Sequence, residues 1–277
     1  MSEPAADHAA DAPLDLTFSA AELDARRERI VGFIEEVVAD AGTDGATLGL
    51  SGGIDSTLTA HLAVEALGTE GLHGLVLPSE VSSGENMSDA ERVAEDLGIE
   101  YDLIEIDPIV RAVFEAYPAG ADDRMAAGNV RVRARAVLNY FVANHENRLV
   151  LGTGNRSEAL AGYFTKYGDQ AVDCNPIGNL YKQQVRQLAA HVGVPEALVT
   201  KTPSAGMWVG QTDEAELEMG YDTLDAILAL HVDGPLSAAA TARAPGVDGA
   251  AVERVAELVA TSEHKRHVPP TPESPGV

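Results

Sequence analysis

Short apolar runs that alternate with helical stretches constrain this chain more than any other feature. Strands are read at 46–50, 72–77, 101–106 and 148–152, with helical patterns over 56–67, 86–97, 108–116 and 127–144 around them. Short apolar strands that lack a polar face have to be buried on both sides, and the intervening helices are what cover them. The expected fold is therefore α/β, a doubly wound, Rossmann-like parallel sheet with flanking helices. A first helix is read from Ser19, where Ser19 and Glu22 make a capping box and Ile30, Phe33, Ile34, Val37 and Val38 recur at helical spacing. Beyond residue 180 only helices are read, over 181–192, 221–230, 235–243 and 247–263, a helical C-terminal part expected to pack around the sheet. One domain is expected over 19–266, between a disordered acidic tail at 1–18 and a flexible tail at 267–277.

In a doubly wound sheet, ligands bind beyond the carboxyl ends of the strands, near the point where strand order reverses. Two loops stand there, 51–57 after the first strand and 153–158 after the fourth. The first reads S-G-G-I-D-S from Ser51 to Ser56. No lysine lies near Gly53, so the G-x-x-x-x-G-K-[ST] phosphate loop is excluded, and the G-x-G-x-x-G fingerprint is absent as well. Two adjacent glycines let the backbone turn its amides toward an anion, the following helix adds its positive end, and Ser51 and Ser56 add hydroxyls. Asp55 would repel phosphate unless Mg²⁺ sat between them. Taken alone, the two glycines also fit a tight strand-to-helix turn.

The composition narrows the function. A chain of 277 residues, 45% hydrophobic, can bury a full core. With 19 Lys+Arg against 44 Asp+Glu it carries a net charge of −25, which excludes binding to nucleic acid or anionic membranes through its overall field. Lysine occurs only at 166, 182, 201 and 265. Many carboxylates with few lysines suit a surface hydrated in concentrated salt, which also screens the self-repulsion, so a halophilic habitat is expected. The single cysteine, Cys174, excludes an intramolecular disulfide and a multi-cysteine metal site. The start "MSEPAADHAADAPLD" lacks the basic and apolar regions of a signal peptide, and no apolar run approaches the roughly 20 residues that span a bilayer. A cytoplasmic location is expected.

The second block, "LGTGNRSEALAGYFTKYGDQAVDCNPIGNLYKQQVRQLAAHVGVP" at 151–195, is too polar for core and too long for a plain connection. It holds Thr153, Asn155, Glu158, Lys166, Asp169, Asp173 and Lys182, and so two of the four lysines. Individually these residues also fit bland roles, Glu158 as a solvated helix acid and Lys182 as a surface residue of an amphipathic helix. Taken whole, the block resembles the NAD synthetase family, in its "GTGNRSE" and "GYFTKYGD" segments. "GNVRVRARAVLNY" (128–140), "KTPSAGMWVGQTDEAELEMGYDTLD" (201–225) and "SEHKRHVPP" (262–270) resemble further segments of that family. The S-G-G-I-D-S string is similar to the pyrophosphate-binding signature of the ATP pyrophosphatase superfamily to which it belongs, and the resemblance runs from about residue 20 to about 270.

The resemblance implies an ammonia-dependent ligase that amidates deamido-NAD (nicotinic acid adenine dinucleotide). The nicotinate carboxylate attacks ATP and releases pyrophosphate; ammonia then attacks the adenylate and releases AMP and NAD. Residue by residue, it implies that Gly49, Leu50, Ser51, Gly52, Gly53, Ile54, Asp55 and Ser56 cradle the ATP phosphates and that Asp55 and Glu158 ligate Mg²⁺. Thr153, Lys182 and Ser204 would contact ATP or the adenylate, so that Asp55, Glu158, Lys182 and Ser204 form the catalytic set. Arg133, Lys166, Asp173, His264 and Lys265 would hold deamido-NAD. The demand for cations is physical, because a carboxylate must approach a phosphate that is itself negative. Glutamine-dependent relatives carry an added amidase domain with a nucleophilic cysteine, and the chain has no room for one; free ammonia is the expected nitrogen donor. A homodimer with its interface near the dinucleotide site is also implied.

Two departures from the family pattern stand out. Ser204 replaces a common threonine, and "GLVLPSE" on the second strand offers no arginine for ATP. Met207 and Trp208 read either as core or as part of a loop lid. A GMP synthetase-like ligase would need neither "YFTKYGD" nor "EHKR", and a non-catalytic nucleotide-binding regulator would not need Asp55, Glu158 and Lys182 together.

Overall fold

Ser19 starts the first helix as its capping box demands: its hydroxyl accepts from the Glu22 N–H and its own N–H donates to the Glu22 carboxylate at 2.8 Å. A computed structural model describes residues 14, 16–208, 210–244 and 246–272, so of the expected tails at 1–18 and 267–277, residues 1–13, 15 and 273–277 lie outside the described residues. The chain runs α1 (Ala20–Ala41), β1 (Ala46–Leu50), α2 (Ile54–Leu67), β2 (Leu72–Val76), α3 (Gly84–Leu97), β3 (Glu100–Leu103), α4 (Asp107–Ala116), α5 (Arg124–Glu146), β4 (Leu149–Leu151) and α6 (Arg156–Ala161). It continues through α7 (Lys182–His191), α8 (Glu196–Val199), α9 (Asp213–Leu217), α10 (Tyr221–Ile227), α11 (Ala238–Thr241) and α12 (Gly249–Arg266).

The four strands form one parallel sheet in the order β3-β2-β1-β4. Side-chain alternation assigns its two faces. Ala46, Leu48 and Leu50 of β1 and Leu72 and Val76 of β2 join a core with α1, α2, α3 and α7. On the opposite face, Leu75 and Leu77 pack with Val110 of α4 and Ala134 of α5. Each fully buried aliphatic side chain here contributes roughly 1.5–3 kcal/mol of transfer free energy. Gly49 also faces α5, where an added Cβ would meet Asn139 at 3.5 Å. Strand order reverses between β1 and β4, so the loops that follow them lie side by side at the sheet's carboxyl edge.

Three expectations need correction. On α1, Ile30, Ile34 and Val38 are buried but Phe33 is exposed, because the buried stripe follows i, i+4, i+8 and Phe33 lies off it. The chain is already tied down before residue 19: Phe18 donates its N–H to Gln187 at 2.8 Å and stacks under Arg26, while Leu16 accepts from Gln187. The C-terminal helices do not all wrap the sheet. α7 does, through Val185, Leu188 and Ala189, whereas α10 and α12 build a second core against α6 from Ala161, Leu224, Ile227, Val252 and Val255. Among the described residues, no helix is long and apolar enough to cross a membrane.

Candidate active site

Gly52 adopts φ +70°, and a Cβ there would fall 2.2 Å from the Asn86 carbonyl oxygen of α3, so the turn after β1 needs glycine at this position. Ser56 pins the loop from within: its hydroxyl accepts from the Ser51 N–H, lies 3.0 Å from the Ser51 hydroxyl and donates to Gly53 O. Gly53 is the N-cap of α2, whose axis therefore points its positive end at the turn. Within the expected cradle, Leu50 and Ile54 bury their side chains in the core, so both can offer only backbone.

Across the switch point, Asn155 caps α6 by accepting the Glu158 N–H and donates its amide to Asp55 at 2.9 Å. One asparagine thereby locks the two loops together. Lys182 then enters from α7 with its ammonium 2.5 Å from Asp55 and 3.1 Å from Glu158. The first residue of a helix is an unfavourable place for a cation. Local bonds hold it there: Ser157 accepts from the Lys182 N–H, Asp225 accepts from both Ser157 and the Gln183 N–H, and the Tyr181 N–H donates to Gln184. The Tyr221 ring lies 5.2 Å from the ammonium, and the Tyr221 hydroxyl donates to Asp213 at 2.8 Å.

Charge explains the site's electrostatics. Burial disfavours the charged Lys182, yet Asp55 and Glu158 outweigh it and raise its pKa. Burial raises the Glu158 pKa; Lys182 pulls it back, while Asp55 and Asp213 push it further up. Asp213 is 3% exposed, its pKa also raised by burial, and one of its oxygens has no partner. Three carboxylates crowd one ammonium and two of them are held above their ordinary range, an arrangement that a divalent cation at Asp55 and Glu158 would relieve by favouring their charged forms. Among the described residues no three His, Cys, Asp or Glu side chains group to hold a metal alone, so its other ligands would be phosphate oxygens and water.

The remaining expected residues divide. Arg133 donates to the Lys166 carbonyl at 3.1 Å, Lys166 reaches the His264 carbonyl at 2.7 Å, and Lys265 donates to Gly162 and Phe164 carbonyls. These four thus gather on one surface made by α5, residues 162–168 and α12. Asp173 is not among them: both its oxygens are bound inside the chain, by the Tyr140 hydroxyl at 3.0 Å and the Val150 N–H at 2.7 Å. Tyr140 lies seven residues along α5 from Arg133, about 10 Å of helix rise. Ser204 closes its own loop, donating to Gln211 O and accepting from the Gly206 N–H, and Thr153 is half-buried between β4 and α6. Met207 packs against Gly128 and Trp208 under Arg124, which places both on the first turns of α5. An arginine does reach the end of β2, but from α5: Arg135 donates to the Leu77 carbonyl at 2.9 Å. Cys174 is half-buried with its thiol pushed up to about 11 by burial, as an unreactive small residue would be.

The NAD synthase family model matches residues 27–269. The chain belongs to the NAD synthase family. It is 63% identical over 260 residues to the NH3-dependent NAD+ synthetase of Halobacterium salinarum, covering 94% of this chain and 97% of that one. It is 48% identical over 244 residues to the NH3-dependent NAD+ synthetase of Archaeoglobus fulgidus, covering 88% and 94%. Among solved structures, an NMN synthetase from Francisella tularensis superposes with a TM-score of 0.80 at 36% identity, over 93% of this chain and all of that one. The NH3-dependent NAD synthetase from Campylobacter jejuni gives 0.72 at 31% identity with the same coverage. The acid-rich, lysine-poor composition accords with the halophilic origin of the first relative.

Asn155 was named from the sequence without a role, and Asp213, Tyr221, Ser157 and Asp225 were given none. Asn155 carries a local signal, an N-cap type three residues before Glu158. The other four are joined only by the fold.

Proposed function

We propose that the chain is an enzyme that amidates deamido-NAD to NAD with ammonia at the cost of ATP, through an adenylated carboxylate, with residues 19–266 acting as one catalytic unit. The observation that carries this reading is the Lys182 ammonium between Asp55 and Glu158 where the loops after β1 and β4 meet. That point receives the phosphates: the turn Ser51–Ser56 and the start of α2 offer amides, and Lys182 neutralises charge developing on the departing pyrophosphate. Asp55 and Glu158 would hold Mg²⁺, which supplies charge neutralisation and polarises the phosphoryl oxygens. The chain's own residues then do the positioning. Asn155 fixes Asp55, and Ser157, Asp225 and Tyr221 fix Lys182. Thr153 and Ser204 line the ATP side. Arg133, Lys166 and Lys265 offer the dinucleotide a cationic surface with His264 beside them, and Asp173 acts by holding β4 and α5 around it. Catalysis is mostly orientation and electrostatics, with no covalent bond to the protein.

The test is a product balance. Purified protein with ATP, Mg²⁺, deamido-NAD and ammonium in multimolar KCl is expected to form NAD, AMP and pyrophosphate in equal amounts. A parallel reaction with nicotinic acid mononucleotide is expected to be slower, and a preference for it would move the assignment to the mononucleotide. No pyrophosphate at any salt concentration would overturn the reading altogether.

The same reading includes a homodimer. Val137 and Phe141 are 63% and 71% exposed on α5, in one i, i+4, i+8 stripe with Arg133, so a second copy seated there would border the cationic surface. Sedimentation velocity is expected to give a dimer that Phe141→Asp dissociates; a monomeric parent protein would remove the dimer from the proposal.

A further inference from the structure

Three of the chain's four lysines have a place in the proposed reaction, and Lys201 has none. It follows α8 and reaches back toward the turn after β1, with its ammonium 2.5 Å from an Asp89 oxygen and 3.4 Å from the Gly52 carbonyl oxygen. Asp89, on α3, is 7% exposed and also accepts from Arg92. One carboxylate therefore faces two cations, and a positive charge is left in surplus beside Gly52 in a chain whose net charge is −25. The Lys201 side chain keeps 22% of its surface, so the ammonium is not sealed in. Its separation from Gly52 O is long for an N–H···O bond, which makes that contact a location rather than a clamp. α3 meets the same turn, since Gly52 abuts the Asn86 carbonyl one helical turn before Asp89.

We infer that Lys201 is a phosphate-binding residue: it turns from Asp89 to the terminal phosphates of ATP and stays with pyrophosphate as it departs, while Arg92 remains on Asp89. The inference rests on the proposal that this turn receives ATP. A lysine suits the task, because a compact charge on a four-carbon stem can change partners with little backbone movement. Asp89 then serves as a resting partner that keeps the ammonium at the turn when no nucleotide is present.

The experiment is calorimetric titration of ATP, pyrophosphate and AMP, each with Mg²⁺, into the full chain. Lys201→Met is expected to weaken ATP and pyrophosphate on the order of tenfold, the loss of one charge-assisted bond, and to leave AMP unchanged. Lys201→Arg retains most of the affinity. Asp89→Asn decides between contact and scaffold. If Lys201 binds phosphate, freeing it from Asp89 leaves ATP affinity equal or higher; if it only ties the turn to α3, Asp89→Asn weakens ATP as much as Lys201→Met does, and the inference falls. Should Asp89→Asn fail to fold, Arg92→Gln replaces it: Asp89 then holds Lys201 alone and ATP binds less tightly, whereas unchanged binding counts against the inference. Equal ATP affinity in Lys201→Met and the parent protein overturns this inference alone, while a parent protein that binds no ATP overturns the ATP site with it.

Discussion

Replacing Lys182 by methionine is expected to lower pyrophosphate release by on the order of 100- to 1,000-fold, the scale seen when one preorganised donor to a developing anion is lost. Among the described residues its ammonium is the single cation touching both Asp55 and Glu158, and its side chain is 2% exposed. The same change should destabilise the ligand-free protein by about 3–5 kcal/mol, because it leaves neighbouring carboxylates unpaired in a poorly hydrated site. The two effects separate experimentally. Lys182→Arg keeps the charge, so the fold is expected to survive, but the larger planar guanidinium cannot take the compact place of the ammonium between Asp55 and Glu158, and turnover should remain low. Combining Lys182→Met with Glu158→Gln removes one of the stranded acids and should recover stability without recovering activity. Initial rates of pyrophosphate formation and thermal melts of the three variants check this; near-parental rates in Lys182→Met would remove Lys182 from the reaction.

The part of this site that could be read from the sequence is the part built by neighbours in the chain. Ser51, Gly52, Gly53, Asp55 and Ser56 lie within six residues, and a turn followed by a helix has few ways to arrange them. The strands were legible for a similar reason, since apolar runs of β1 and β2 are buried on both faces and show no polar alternation. What was not legible depends on which element meets which. An amphipathic face says that α10 and α12 bury a stripe, but not that the stripe faces α6 instead of the sheet. Asp213 and Tyr221 lie 31 and 39 residues beyond Lys182 in sequence, and nothing local in either marks them as its neighbours. The basic string "RVRAR" shows the limit most clearly. Its three arginines share a helix but not an environment: Arg131 is buried, Arg135 is half-buried against the end of β2, and Arg133 alone of the three is exposed, on the surface it shares with Lys166 and Lys265. Successive odd positions on a helix point in different directions, so one motif serves three environments.

The acid-rich surface carries a prediction about stability that needs no ligand. Transfer from multimolar KCl to 0.1 M salt lengthens the screening distance from about 3 Å to about 10 Å, which exposes each carboxylate to many of its neighbours. With a net charge of −25, self-repulsion should then cost on the order of 5 kcal/mol and lower the melting temperature by roughly 10–20 °C. Sucrose strengthens burial without screening charge, so it should restore only part of the loss. Acid should restore part of that stability where salt is absent, through carboxyls that burial holds above their ordinary range. Asp225, which is fully buried, has its carboxyl pushed up to about 6 by that burial; bonds from Ser157 and the Gln183 N–H and the nearby charges of Arg186 and Lys182 only partly offset it. A carboxyl whose pKa is higher folded than unfolded binds protons preferentially in the folded state, so its contribution favours folding below about 6 and fades as pH rises through that value. The melting temperature at 0.1 M salt is therefore expected to be higher at pH 6 than at pH 8, with the difference shrinking in 3 M KCl and the share due to Asp225 removed by Asp225→Asn. Melting temperatures indifferent to salt would mean that the carboxylates are already held apart by the fold, and that the acidic composition serves solubility alone.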